Sequence, residues 1–240
     1  MLGPTGVPRW ARLLLVIATL ALATTLPGVW HAATAEVFPL DAIGRLVIDT
    51  DRVCTAFVVR SAERRVTHRY YGQVVFYENW IVTAGHCFGQ SLTLIQGNSR
   101  RRIAHVIGYS GDGQGYDVLV ATFSTHVPLP TLEPAFGEFP AVGDKLLLIG
   151  YGHGALMMRV SPLIGYDARG HMEIDGYASP GSSGGPVLVP GTRRVVGIGI
   201  ETTLDRPADA SPLHCALVGC RVKPPYTAAH IDRLKGVARF

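Results

Sequence analysis

The sequence predicts an all-β fold, two antiparallel barrels or sandwiches with a cleft between them and one helix at the end of the chain. Three observations carry that expectation. Beyond residue 36 the chain is a succession of short apolar or β-branched runs, most of them bounded by turn residues. These runs fall into two sets, separated by "VPLPTLEP" at residues 127–134, whose prolines bar it from a sheet interior. A single helical signal stands at the C-terminal end, and many strands in two groups with one terminal helix suit paired β-units.

Taken in order, the chain opens on a segment outside the fold. Arg9 and Arg12 precede an uncharged apolar run of 14 residues from Leu13 to Leu26, Pro27 and Gly28 break it, and Ala33-Thr34-Ala35 gives a small-x-small cleavage pattern. That is the layout of a signal peptide over residues 1–35, so the mature protein is expected outside the cytoplasm, secreted or periplasmic. The alternative is an uncleaved membrane anchor, for which the run falls short of the roughly 20 apolar residues of a span.

The first set of expected strands comprises 45–49, 55–59, 73–77, 80–83, 92–96, 103–109 and 118–123, which makes residues 36–126 one unit. Residues 127–134 read as a crossing linker. The second set comprises 145–149, 160–165, 171–175, 186–189 and 195–201, in a unit spanning 135–224. Pro224 and Pro225 then mark a boundary, Thr227 offers a cap, and Ile231, Leu234 and Ala238 share one face of a helix within 225–240.

Composition narrows the function classes. The 240 residues carry a net charge of +4, which loss of Arg9 and Arg12 lowers to +2, leaving a mature chain of 205 residues. The arginine runs 64–65, 100–102 and 193–194 read as solvated turns, with no interleaved aromatics to stack bases, so no nucleic-acid partner is expected. All four cysteines, Cys54, Cys87, Cys215 and Cys220, lie in the exported part, where an even count suggests disulfides. Four cysteines permit three pairings. Cys215 and Cys220 can close a local loop, which leaves Cys54 with Cys87. No C-x-x-C or paired H-x-x-x-H spacing is present, so no metal and no other cofactor is expected.

Two stretches carry chemistry. In "NWIVTAGHCFG", residues 79–89, a buried-strand pattern runs into Gly85 and then His86, a residue suited to a core, a metal site or a general base. In "SPGSSGGPVL", residues 179–188, glycines flank two serines. If the N–H groups of Gly181 and Ser183 point one way, they cradle an oxyanion, with Ser183 as nucleophile and His86 as its base. The G-x-S-x-G match also raises an α/β-hydrolase esterase, but Pro186 and the β-rich "VLVP" follow where that fold needs a helix. A plain glycine-rich turn is the bland alternative.

"TAGHC" and "GSSGGP" together resemble the trypsin/chymotrypsin-like serine peptidases, whose usual motifs are T-A-A-H-C and G-D-S-G-G-P. The correspondence covers roughly residues 44–238 and is nearer the short bacterial or HtrA-like members. "YDVLVATF" resembles the family's aspartate-led strand, "LLLIGYGHG" its G-W-G strand, and "VVGIGIE" the strand lining the substrate channel. The resemblance implies two six-stranded barrels with the site in their cleft, and an endopeptidase using His86, Asp117 and Ser183. Gly181 and Ser183 would hold the oxyanion, and Cys54–Cys87 would be the histidine-loop disulfide. The histidines at 105, 126, 153, 171, 214 and 230 are then surface or structural.

Family spacing puts the floor of the primary pocket at Tyr177 and Ala178, with Ile200 and the neighbouring Glu201 in its wall. Strand alternation favours Ile200 facing inward and hence apolar side chains before the cleaved bond. The departures are Gly85 in place of alanine, a small change, and Ser182 in place of the aspartate that pairs with a freed N-terminus. The resemblance implies a protein or peptide substrate for a monomer with no stable membrane association after signal cleavage. A protease-like binding protein that has lost catalysis is the rival from another class.

Overall fold

The structure is a computed structural model, and it describes residues 38–110, 117–176, 179–202 and 226–238, with backbone alone at 201 and 202. Residues 1–37 form a separate unit outside this description, so the signal-peptide expectation falls beyond it. No helix among the described residues is long and apolar enough to cross a membrane.

The first sheet contains β1 (Ile43–Ile48), β2 (Arg52–His68), β3 (Gly72–Ala84), β4 (Leu92–Gln96), β5 (Ser99–Arg102), β6 (His105–Ser110) and β7 (Val118–Thr125). Its order is β5-β4-β1-β2-β3-β7-β6, and every pairing is antiparallel. Alternating burial along β1 and β4 and full burial of Val118–Phe123 in β7 give this sheet an apolar interior around Leu46, Phe57, Ile81 and Leu94. Its end strands do not pair with each other among the described residues, so it is a seven-strand half-barrel rather than the six-stranded barrel expected.

The second sheet contains β8 (Glu133–Pro134), β9 (Lys145–Gly152), β10 (Ala155–Tyr166), β11 (Met172–Ile174), β12 (Pro186–Leu188), β13 (Arg194–Thr202) and β14 (Tyr226–His230). Pairing of β12 with both β9 and β13 closes six strands into a barrel. β8 adds to β13 in parallel as an edge, where Pro134 costs no interior ladder bond.

Three expectations are corrected. Residues 226–230 are a strand, and only the 3-10 turn Ile231–Arg233 and one helical turn, α1 (Leu234–Val237), follow. All five residues of β14 are buried between β11 and β13, so tertiary pairing overrides the local helix signal, and Thr227 lies in a ladder rather than at a cap. The arginine runs lie on strands: Arg64 and Arg65 in β2, Arg100–Arg102 in β5, and Arg194 at the start of β13. Charged side chains suit the exposed edge that β5 forms beside β4. Expected strands 73–77 and 80–83 are one continuous strand, β3.

Candidate active site

β3 delivers the first site residue. Its buried end, Ile81–Ala84, runs into a 3-10 turn, Gly85–Cys87, that carries His86 out of the sheet. A methyl group on Gly85 would overlap the Ser110 carbonyl oxygen and come within 2.8 Å of Asp117 Oδ1. Glycine here is therefore what lets the histidine turn lie against the loop entering β7, and its presence is more than the small change expected.

Asp117 directly precedes β7 at φ +43, a left-handed conformation that aspartate tolerates better than most residues. One carboxylate oxygen accepts the His86 backbone N–H at 2.6 Å, and the other lies 2.7 Å from His86 Nδ1. The aspartate side chain is only 10% exposed, whereas the imidazole is 35% exposed. A buried carboxylate thus fixes an imidazole that still reaches solvent. Asp117 accepts at Nδ1, so the neutral ring carries its proton there and leaves Nε2 as the proton acceptor.

Ser183 comes from the opposite sheet. Ser182 N–H donates to Ser179 O and Gly185 N–H to Ser182 O, both at 3.0 Å, which coils residues 179–185 tightly. Gly184 has φ +83, and a side chain there would overlap Thr83 Oγ1 and the Thr55 carbonyl oxygen. The loop can therefore press on the first sheet only with glycine at this position. Ser183 and His86 line the same pocket of about 580 Å³, together with Arg52, His153 and Gly181. Ser182 is buried and its hydroxyl donates to Ser179 O at 2.6 Å.

Cys54 and Cys87 are disulfide-bonded, with their Cα atoms 6.2 Å apart, which ties the histidine turn to β2. Cys54, Cys87 and His86 also place potential ligand atoms within 4.8 Å of one another, but both sulfurs are spent in the disulfide. Cys215 and Cys220 lie outside the described residues, as do Tyr177, Ala178 and the Glu201 side chain. Ile200 is buried. A register shift between Gly199 and Glu201 interrupts strand alternation at this point. The Tyr226 ring fills the space where a Gly199 side chain would stand. The argument that Ile200 and Glu201 face opposite ways therefore does not hold here, because a bulge breaks the two-residue period. On the other side of the serine loop, an apolar pocket of about 240 Å³ is lined by Leu148, Ile149, Met157, Tyr226 and Ser182, among others.

Two supporting residues escape sequence reasoning. Thr55 is fully buried in β2. Its hydroxyl donates to Gly181 O at 2.9 Å and accepts the Tyr151 N–H at 2.8 Å, and its own N–H donates to Ser183 O at 2.7 Å. Nothing in the sequence marks one threonine in a strand for such a role. His153 forms with Gly154 a two-residue hairpin turn, at φ +49 and +80, joining β9 to β10. Its N–H donates to Pro180 O at 2.8 Å. Because a trans peptide points its C=O and N–H in opposite directions, that bond aims the Gly181 N–H away from the hairpin. "HG" before the apolar β10 was the available signal for this turn.

The remaining histidines divide as their surroundings dictate. His171 is buried, its Nδ1 3.1 Å from Asp167 Oδ2. His230 is buried against Phe139, its rings stacked at 4.0 Å, with Nε2 at 2.8 Å from Glu138 O and Nδ1 accepting the Asp232 N–H at 3.2 Å. His105, His126 and His153 are exposed, and His214 lies outside the described residues.

Comparison with known proteins matches residues 54–198 to the trypsin-like peptidase domain. A search of curated protein sequences finds no match. Among solved structures, the serine endoprotease from Yersinia pestis superposes with a TM-score of 0.60 at 12% identity, covering 82% of this chain and 61% of that one. Rv3671c from M. tuberculosis H37Rv, solved as an inactive serine-to-alanine mutant, superposes with a TM-score of 0.58 at 14% identity, covering 88% and 91%. At such identities the structural likeness shows the fold alone. The family match spans more than half of the sequence and includes His86 and Ser183. The chain belongs to the trypsin-like peptidase family.

Proposed function

We propose that this protein is a secreted serine endopeptidase working through His86, Asp117 and Ser183. The observation that carries the reading is the double engagement of His86 by the buried Asp117 carboxylate, with Ser183 in the same pocket. In the proposed reaction Ser183 Oγ attacks a peptide carbonyl as His86 Nε2 takes the hydroxyl proton. Asp117 stabilises the resulting imidazolium. Gly181 and Ser183 N–H groups receive the developing oxyanion, an arrangement favoured by the His153–Pro180 bond. His86 then protonates the leaving amine, and water hydrolyses the acyl-enzyme by the same steps in reverse order.

The substrate is a protein or peptide, with an apolar side chain before the cleaved bond, as the apolar lining around Leu148, Ile149 and Tyr226 favours. Residues 1–35 are removed on export, the enzyme acts outside the cytoplasm as a monomer, and Ser182 relieves it of dependence on a freed N-terminus.

Labelling with a fluorophosphonate probe tests the assignment. Ser183→Ala should abolish labelling and Ser182→Ala should retain it. The reverse pattern, or no labelling of the native protein, refutes the reading.

A further inference from the structure

The hairpin made by β2 and β3 is far longer than the sheet that roots it. β1 pairs with β2 only over Arg52–Phe57, and β7 reaches back along β3 only to Tyr77. Beyond these points the two strands continue together, from Arg64 opposite Phe76 to His68 opposite Gly72. The 13 residues of β3 span roughly 40 Å at about 3.3 Å each, with the tip at one end and the His86 turn at the other. Two strands alone are marginal in water, and the five residue pairs beyond the sheet form a short ribbon that a surface against its tip would stabilise.

The chemistry of the tip is specific. Residues 68–71 are His-Arg-Tyr-Tyr. Tyr70 and Tyr71 are 79% and 78% exposed, the highest values among the exposed large hydrophobic residues. The His68 ring lies 4.8 Å from Tyr71, and the Arg69 guanidinium lies 5.8 Å from the Tyr70 ring. Just below the tip, Val66 and Val75 are also exposed. Along residues 60–78 four arginines face two glutamates. Arg64 pairs with Glu78 and Arg65 with Glu63, while Arg60 lies over the Trp80 ring at the root of the hairpin and Arg69 over the Tyr70 ring, which leaves Arg69 as the surplus charge at the tip.

We propose that this tip docks reversibly on an anionic lipid bilayer. Tyrosine rings with an apolar body and a polar hydroxyl settle at the headgroup boundary, and arginines beside them pair with lipid phosphates. A second copy of the chain is the poorer occupant. Four tip residues cannot supply the roughly 1,200 Å² that a specific protein interface buries, and the tip is convex. The contact is peripheral and salt-sensitive, with two tyrosines and the one surplus charge of Arg69, and is distinct from any anchoring by the N-terminal segment.

The test is co-sedimentation of the full chain with phosphatidylcholine vesicles, with and without about one-third phosphatidylglycerol, at low and at about 0.5 M salt. Wild type and variants share every other segment, so their difference reads the tip. Binding to the anionic vesicles should exceed binding to neutral ones and fall at high salt. Arg69→Gln should lower the partition coefficient about fivefold, and Tyr70→Ser with Tyr71→Ser by roughly tenfold or more. Both variants should keep the native thermal midpoint, and single Tyr71→Ser serves if the double variant does not fold. Equal sedimentation of wild type and variants overturns the proposal. So does a tip-dependent shift from dimer to monomer in light scattering without vesicles, which would give the tip to a second copy of the chain.

Discussion

Thr55→Val offers a direct probe of how the two sheets share the serine loop. Valine keeps the shape of threonine and removes only the hydroxyl. The change leaves the Gly181 carbonyl and the Tyr151 N–H, now bonded at 2.9 and 2.8 Å, without that partner at a site with no exposure. Each orphaned buried group costs about 1–3 kcal/mol, so with two of them stability should fall by about 2–6 kcal/mol. For a domain near 200 residues each kcal/mol moves Tm by about 2–4 °C, which sets the expected drop at roughly 5 °C or more. Guanidinium unfolding with an unchanged m-value reads the loss. The hydroxyl also holds the Gly181–Ser182 peptide, which lies between the two peptides that carry the proposed oxyanion donors, so kcat on a peptide substrate should fall by about 10²-fold or more with KM little changed. Thr55→Ser, which keeps the hydroxyl, should recover most of both. A Thr55→Val enzyme within about 0.5 kcal/mol of wild type and with native kcat would refute the reasoning.

Gly85→Ala should push the histidine turn off the Ser110 carbonyl and lower kcat at least about tenfold, more than it lowers Tm; a fully active variant would show that the loop before β7 yields freely. Replacing Cys54 and Cys87 by alanine opens a loop with a sequence separation of 33 and should cost about 3–4 kcal/mol in denaturant titration. Burial holds the His230 imidazole below its ordinary pKa, and the nearby Arg233 and Lys235 act in the same direction, against Asp232. Its contribution is therefore fully present above about pH 6.5 and is lost as pH falls through the lower folded value. His230→Gln should flatten the decline in stability between about pH 7 and 5 relative to wild type, and an unaltered slope would exclude His230 as its source.

Sequence patterns reveal an element where its own residues carry the pattern, and miss it where a neighbour supplies the reason. β4 reads to the residue because Leu92–Gln96 alternates between turn signals. β5 does not, since Ser-Arg-Arg-Arg looks like a solvated turn until it is seen as a charged edge beside β4. β14 is equally hidden, because Thr-Ala-Ala becomes a strand only between β11 and β13. At the site, the pairing of His86 with Asp117 is legible from motif order. Thr55 is not legible, as its partners are backbone groups of another sheet. The break in strand alternation beside Ile200 is not legible either, since the register shift between Gly199 and Glu201 arises in the pairing with β14, although Ile200 itself is buried.

The bonds from Thr55 to Gly181, Tyr151 and Ser183 have a bearing on when the molecule becomes active as well as how. They join positions up to 128 residues apart, so they form late in folding, after the slow search that distant pairings demand. A chain with only one half folded holds either the histidine pair or the serine loop, and the loop then lacks the threonine that shapes it. On the proposed mechanism, hydrolytic capacity arises only when both halves have met. On that reading a nascent or partly unfolded chain is harmless to its surroundings until its halves meet, and a damaged one falls silent as soon as they part.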